Sequence, residues 1–565
     1  MRFLKAAGAA LLLCAWLLPF AFGTSTESAA NTSTEDKQAV YEQLLQHLQQ
    51  LEGPVPERPS VYPALALYNP EAVIPPQCYT QTDSQYNPCY VCHQAAVPGR
   101  ENRMDDGILQ QEYQFSDVGL SNHWQNLFED RSARVAAISD EEILAWIDGD
   151  NYSALAPRLR AAGFKGWIPD LSNLQSGAEA FDGNGMARDG TGWVAFNYKP
   201  MPSTFWPTNG STDDVMIRLA PEMRQTADGV ESEDVYLANL AIVEANIKGM
   251  RDISTRPLDE KVIGVDLDGD GVLGTATTIR NTDHYVGAAA QWFKQEWLYP
   301  LGTEFLHTVR YVGIRDDGSI EVSRRMKEVR YMRKQYVLPQ FALDNAYREE
   351  AWAKADGYLP GYIDMGPHGL DNEMGWLIQG FIEDRQGQLR ASTFEENLFC
   401  MGCHTSVGAT IDKVFSFARK VDGADGWGYI NLHGMPDAPN RGELRGEIAT
   451  YLERVGGGGE FRNNPEMQAR WFDAEGNVEH ARIAGAKDVY TLITPSRERA
   501  LELNKAYRVL VEDQDYIYGR DATATPPENV YREINPELVP TLPAEHAYEW
   551  DIRLDWHPSS PNDAP

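Results

Sequence analysis

Two pentapeptides constrain any fold of this chain: Cys89-Tyr90-Val91-Cys92-His93 and Cys400-Met401-Gly402-Cys403-His404 repeat the same order of thiol, thiol and imidazole some three hundred residues apart. Thiols three positions apart lie near one side of a helical turn, where both can form thioethers with the vinyl groups of one haem. The adjacent histidine then offers a ring nitrogen to the iron as its proximal ligand. With 6 Cys and 11 His in 565 residues, one such pentapeptide arises by chance in roughly one chain in a thousand. The competing readings explain less. A disulfide within each pair leaves both histidines unexplained, a thioredoxin-like pair lacks its strand-to-helix setting, and zinc would need the two pairs brought together.

The pentapeptides resemble those of c-type cytochromes, and the layout is similar to that of large dihaem proteins such as bacterial dihaem peroxidases and haem rubber oxygenases. The likeness covers about ten residues. It implies two covalently bound haem c groups, on Cys89/Cys92 and Cys400/Cys403, with His93 and His404 as proximal iron ligands. It implies electron transfer with a redox partner protein or a small-molecule donor or acceptor, or else a peroxidase- or oxygenase-like oxidoreductase with one open iron. A second ligand on each iron would favour the carrier. Distal candidates are Met435 and His433 for the second haem, Met104, His123 and Met186 for the first, and His307 and His368 from the middle of the chain.

The N-terminus agrees with export. Arg2 and Lys5 precede an apolar run from Ala6 to Phe22 that ends at Gly23, a secretory signal pattern, with an uncleaved anchor as the alternative. Leu13 before Cys14 is not small, so Cys14 reads as part of the apolar run rather than a lipidation site. The expected location is periplasmic, secreted or at a bacterial cell surface, with no membrane span after cleavage. A net charge of −33 excludes nucleic acid as a natural partner and favours encounter with basic surfaces. Cys78 is the odd cysteine and reads as a buried thiol, an intermolecular disulfide or an unusual haem linkage with Cys92.

Elements follow from pattern. Val40, Leu44, Leu48 and Leu51 predict a lead-in helix. Tyr236, Leu240, Val243, Ile247 and Met250 form one stripe behind the cap Ser232. Phe305, His307, Val309 and Tyr311 alternate towards Asp317-Gly318 and a return through Ile320 and Val322, predicting a β-hairpin. Arg324, Arg325, Lys327, Arg330, Arg333 and Lys334 read as a solvated strand face, or more sharply as a docking patch or propionate partner. A short helix is expected over 394–399 and another behind Thr494 and Pro495, and Gly456 to Gly459 reads as a flexible turn. Asp266, Asp268, Asp270 and Gly271 fit the start of an EF-hand loop and predict Ca²⁺, although Thr277 stands where the closing Glu belongs.

The expected architecture is mainly α with irregular loops, cytochrome c-like around the haems, with a smaller β-containing middle portion. The expected regions are a signal peptide (1–23), an N-terminal helix and linker (24–60), a first haem-binding region (61–230), a middle α+β region with the calcium loop (231–390) and a second haem-binding region (391–565).

Overall fold

Alternation from Phe305 to Tyr311 builds the hairpin that the sequence predicts. Strands β5 (Glu304–Ile314) and β6 (Ile320–Lys334) pair antiparallel, and Gly318 takes a φ of 83° in the turn between them. The computed structural model describes residues 73–557 except 97–103, 112–114, 203–204, 281, 359–360, 406, 457–461 and 463. The signal peptide, Cys14, the lead-in helix and most of the Gly456 to Gly459 turn lie outside the described residues.

The hairpin is the centre of an eight-stranded antiparallel sheet. Its order is β1 (Val194–Ala195), β2 (Thr212–Arg218), β5, β6, β9 (Trp376–Glu383), β8 (Leu370–Asp371) and β7 (Ile363–Asp364), with β10 (Leu389–Ala391) also on β9. A separate ribbon pairs β3 (Asp252–Asp259) with β4 (Thr275–Arg280). The mainly α, cytochrome c-like architecture is thereby corrected: a large antiparallel sheet organises the core. The signal was weak because the central strands are covered on both faces. Every residue of β9 is buried, so its apolar residues fall on both faces and show no alternation.

The basic run needs the same correction. Arg325, Lys327 and Lys334 are buried, and only Arg324 and Arg333 face water. Arg325 pairs with Glu383 at 2.5 Å, Arg330 with Glu328 at 2.8 Å and Lys334 with Asp412 at 2.7 Å. A charge can stay in such a strand only where a buried partner compensates its lost hydration.

Five helices matter for the site: α1 (Glu233–Lys248), α2 (Gln340–Ala355), α3 (Phe394–His404), α4 (Glu447–Val455) and α5 (Arg497–Asp513). Helix α1 starts where Ser232 Oγ accepts the Val235 N–H and stops at left-handed Gly249. It is buried on nearly all sides, so the expected stripe is only part of its apolar surface. Helix α3 has a capping box: Thr393 Oγ1 accepts the Glu396 N–H, and the Glu396 carboxylate accepts the Thr393 N–H. This start carries the helix to His404, beyond the expected end at Phe399. Ser496, not Thr494 or Pro495, caps α5.

Candidate functional site

The strand period of two puts Phe305, His307 and Val309 of β5 on one sheet face. His307 sits opposite Val215 of β2 and Arg330 of β6, and Met332 of β6 sits opposite Ile378 of β9. These side chains floor a cavity of about 340 Å³ that also takes Asp213, Val215 and Glu328 into its wall. A volume of that order suits a buried, mostly apolar ligand.

Both pentapeptides open onto this cavity. Cys89, Cys92, His93, Cys400, Cys403 and His404 all line it, as does Cys78. The first pentapeptide leaves a 3-10 turn (Pro88–Val91) held by Asn87 Oδ1, which accepts the Tyr90 N–H at 3.2 Å. The second is the last turn of α3. The chain beyond α3 ties the two together: Ala409 N donates to Cys92 O at 3.0 Å, and Gly408 N donates to Asp106 Oδ1 at 3.0 Å. A Cβ on Gly408 would fall 2.3 Å from that carboxylate oxygen, so only glycine permits the approach.

Each histidine is oriented through one ring nitrogen. Asp106 Oδ2 lies 2.8 Å from His93 Nδ1, and Lys354 Nζ and Gln94 N donate to the same carboxylate at 3.1 and 2.9 Å. Burial alone would raise the Asp106 carboxyl, but Lys354 and His93 outweigh it and hold the group at about 2. An ionised carboxylate only accepts, so His93 Nδ1 carries a proton towards it and Nε2 is the nitrogen left to ligate. His404 Nδ1 donates to the Lys413 carbonyl at 2.7 Å. Burial, opposed by that carbonyl and joined by the charges of Arg330 and His307, brings His404 down to about 4. It is therefore neutral at pH 7, the form that binds a metal.

The thiols are not poised as nucleophiles. Burial pushes Cys89 up to about 12 and Cys403 up to about 11, and it raises Cys78, Cys92 and Cys400 as well. Reactive redox pairs have lowered values, so thioredoxin-like chemistry does not suit this site. All five cysteines of the described residues are free. They form no compact ligand cluster with the histidines either; among the described residues the one such cluster is Glu260, Asp266 and Asp268.

Of the distal candidates, His307 lines the cavity, with Nε2 buried, 3.4 Å from Asp213 Oδ2 and without a hydrogen bond. Met435 is buried in the core away from the cavity wall, as is Met104, and His433 stacks on Tyr490. Met186, His123 and His368 are likewise not brought to it.

At the acidic loop, Asp266 Oδ1 and Oδ2 accept the N–H groups of Gly269 and Gly271, and Asp268 Oδ1 accepts that of Asp270. Asp270 lies outside the carboxylate cluster. Its place is taken by buried Glu260, which accepts the Leu267 and Gly274 N–H groups from the preceding helical turn. Sequence reasoning missed Glu260 because an EF-hand supplies its closing carboxylate from the C-terminal side. It missed Asp106 for lack of any spacing rule linking it to His93, and the Lys413 carbonyl because a backbone group leaves no mark on residue type.

A lipoprotein family model matches residues 62–491, most of the chain. An uncharacterized lipoprotein of Aquifex aeolicus (strain VF5) is 30% identical over 517 residues, covering 80% of this chain and 86% of its own length. The chain belongs to this lipoprotein family. No solved structure matches it.

Family membership corrects three expectations. The likeness to c-type cytochromes is not borne out, since neither the family nor the relative is a cytochrome, and ten shared residues report local chemistry rather than descent. Electron transfer with a redox partner, and the peroxidase- or oxygenase-like alternative, rested on that likeness and fall with it. The reading that set lipoprotein character aside at Cys14 is corrected too: lipoprotein membership makes this an exported, envelope-associated protein. No helix among the described residues is long and apolar enough to cross a membrane.

Proposed function

We propose that this envelope lipoprotein is a haem-holding protein, whose cavity takes haem tethered through Cys89 and Cys92 and through Cys400 and Cys403. The observation that carries the reading is that two remote thiol-thiol-imidazole motifs open onto one apolar cavity, each with its imidazole fixed through Nδ1 and free at Nε2. The residues fit the group in chemistry: both pairs of thiols are free to be joined as thioethers, and the wall supplies buried cations for carboxylates. Haem bound there would supply an iron centre, with His93 and His404 as the ligands this chain offers it. The finer location we propose is the periplasm or outer surface of a bacterial envelope.

Double substitutions test the tethers separately. Matured in a host that attaches haem c, the full chain should retain haem through denaturing electrophoresis. Cys89→Ala with Cys92→Ala should remove one attached haem, and Cys400→Ala with Cys403→Ala the other. Full haem signal in both double variants would contradict the assignment.

We propose weak calcium binding at Glu260, Asp266 and Asp268, in the millimolar range of extracellular modules. Adding about 10 mM calcium should raise Tm by about 1–2 °C. Glu260→Gln should abolish the rise, and an unchanged Tm in the parent protein would remove this site.

A further inference from the structure

The cavity wall carries more positive charge than the protein neutralises. Lys327, Arg330, Arg462 and Arg520 all line it, and their carboxylate partners there are Glu328 and Asp521. Glu328 bonds Arg330 at 2.8 Å and Arg520 at 3.1 Å, and Asp521 bonds Arg462. At this end of the cavity four cations therefore share two carboxylates, while Asp213 of the wall lies beside His307 instead.

Lys327 is the clearest case. It is 2% exposed and has no carboxylate within ion-pair distance among the described residues. Its Nζ donates to Gly210 O at 2.6 Å and to Ser211 Oγ at 3.1 Å, and it stands 4.0 Å from the centre of the Tyr507 ring. An ammonium has three protons to place, and two acceptors account for two. Arg520 adds a second unfilled donor, since its Nε is buried without a hydrogen-bond partner on a side chain only 7% exposed. Burial and the neighbouring Arg462 charge pull Lys327 down to about 7, so an anion beside its Nζ is what would keep it fully charged, and Arg520 with its unfilled Nε stands by to share that anion.

We propose that this end of the cavity is a carboxylate-binding site, in which Lys327 and Arg520, flanked by Arg462, receive the two carboxylates of a flat apolar ligand. The site lies beside the second pentapeptide: Arg330 and Arg520 both stand over Phe399, next to Cys400. With haem as the occupant, which rests on the function proposed above, these cations hold its propionates. Any other occupant would be an apolar dicarboxylate of similar shape.

The sign of a stability change tests this. In the haem-loaded full chain, Lys327→Met leaves a carboxylate unpaired and should lower the urea midpoint. A raised or unchanged midpoint would mean that no anion sits there and overturns the proposal. A second measurement uses the full chain made without haem attachment, its fold checked by circular dichroism. Protoporphyrin IX should quench its tryptophan fluorescence with at least about tenfold higher affinity than the dimethyl ester, and Lys327→Met should narrow that gap to under about threefold. Equal binding of acid and ester would overturn carboxylate recognition while leaving the cavity reading intact. Absence of attached haem from the matured protein would instead sink the proposed function, and the propionate assignment with it.

Discussion

Replacing Asp106 with alanine is expected to destabilise the protein by about 3–5 kcal/mol and to loosen His93 as a ligand by about 10–100-fold. Four groups converge on that carboxylate: His93 Nδ1, Lys354 Nζ, Gln94 N and Gly408 N, all within 3.1 Å. Truncation takes the carboxylate away from a partly buried lysine end and from two backbone N–H groups, and it frees the His93 ring to turn. It also removes one of the two hydrogen bonds that tie the chain after α3 to the first motif, leaving that from Ala409 N to Cys92 O. The stability loss is read as a lower urea midpoint, and the ligand loss as a high-spin component in the absorption spectrum of the haem-loaded protein. Asp106→Asn should recover part of the backbone bonding but not the pairing with Lys354. A variant with the parent midpoint and parent spectrum would show that Asp106 neither joins the motifs nor orients His93.

The second large effect is expected at Glu447 on α4. Its carboxylate accepts from Arg419 Nη1 at 2.7 Å and from Asn440 Nδ2 at 3.1 Å, with Lys199 Nζ at 3.2 Å. Arg419 is itself fully buried, lines the cavity and donates to the Lys199 and Pro200 carbonyls. Burial would raise the Glu447 carboxyl, but Arg419 and Lys199 prevail and hold it at about 2. The folded value lies below the ordinary 4.5, so proton uptake favours the unfolded chain. The contribution is whole above about pH 4.5 and disappears as pH falls towards 2, amounting to about 3 kcal/mol. Glu447→Gln should therefore cost about 3–5 kcal/mol at pH 7, by leaving Arg419 unpaired, and should flatten the acid limb of the stability curve. Urea midpoints of parent and variant between pH 7 and pH 3 measure both. Parallel curves, or a parent curve flat to pH 3, would contradict the assignment.

How far the sequence could be read depends on where each signal is stored. The hairpin was legible because alternation and Asp317-Gly318 are both local, and the starts of α1 and α3 because Ser232 and Thr393 act within one turn. The sheet was not. Its strands come from four stretches between Val194 and Ala391, and β9 is buried on both faces, which erases the alternation that would expose it. The basic run on β6 looked solvated because its partners, Glu383 and Asp412, lie far along the chain. The site divides in the same way. Six thiol and imidazole residues were visible from spacing alone. Their meeting in one cavity, the Asp106 carboxylate, the Lys413 carbonyl and the charge around Lys327 depend on tertiary structure. Family was misjudged for a related reason, since ten residues can state a chemistry without stating an ancestry.

The intact mass of the mature wild-type protein, taken after denaturation from a host that attaches haem c, bears most directly on the cavity's role. Two haem increments on the polypeptide, together with a Soret band, are the result expected from two tethering motifs that line one cavity. A mass equal to the bare polypeptide with no Soret absorption would contradict it.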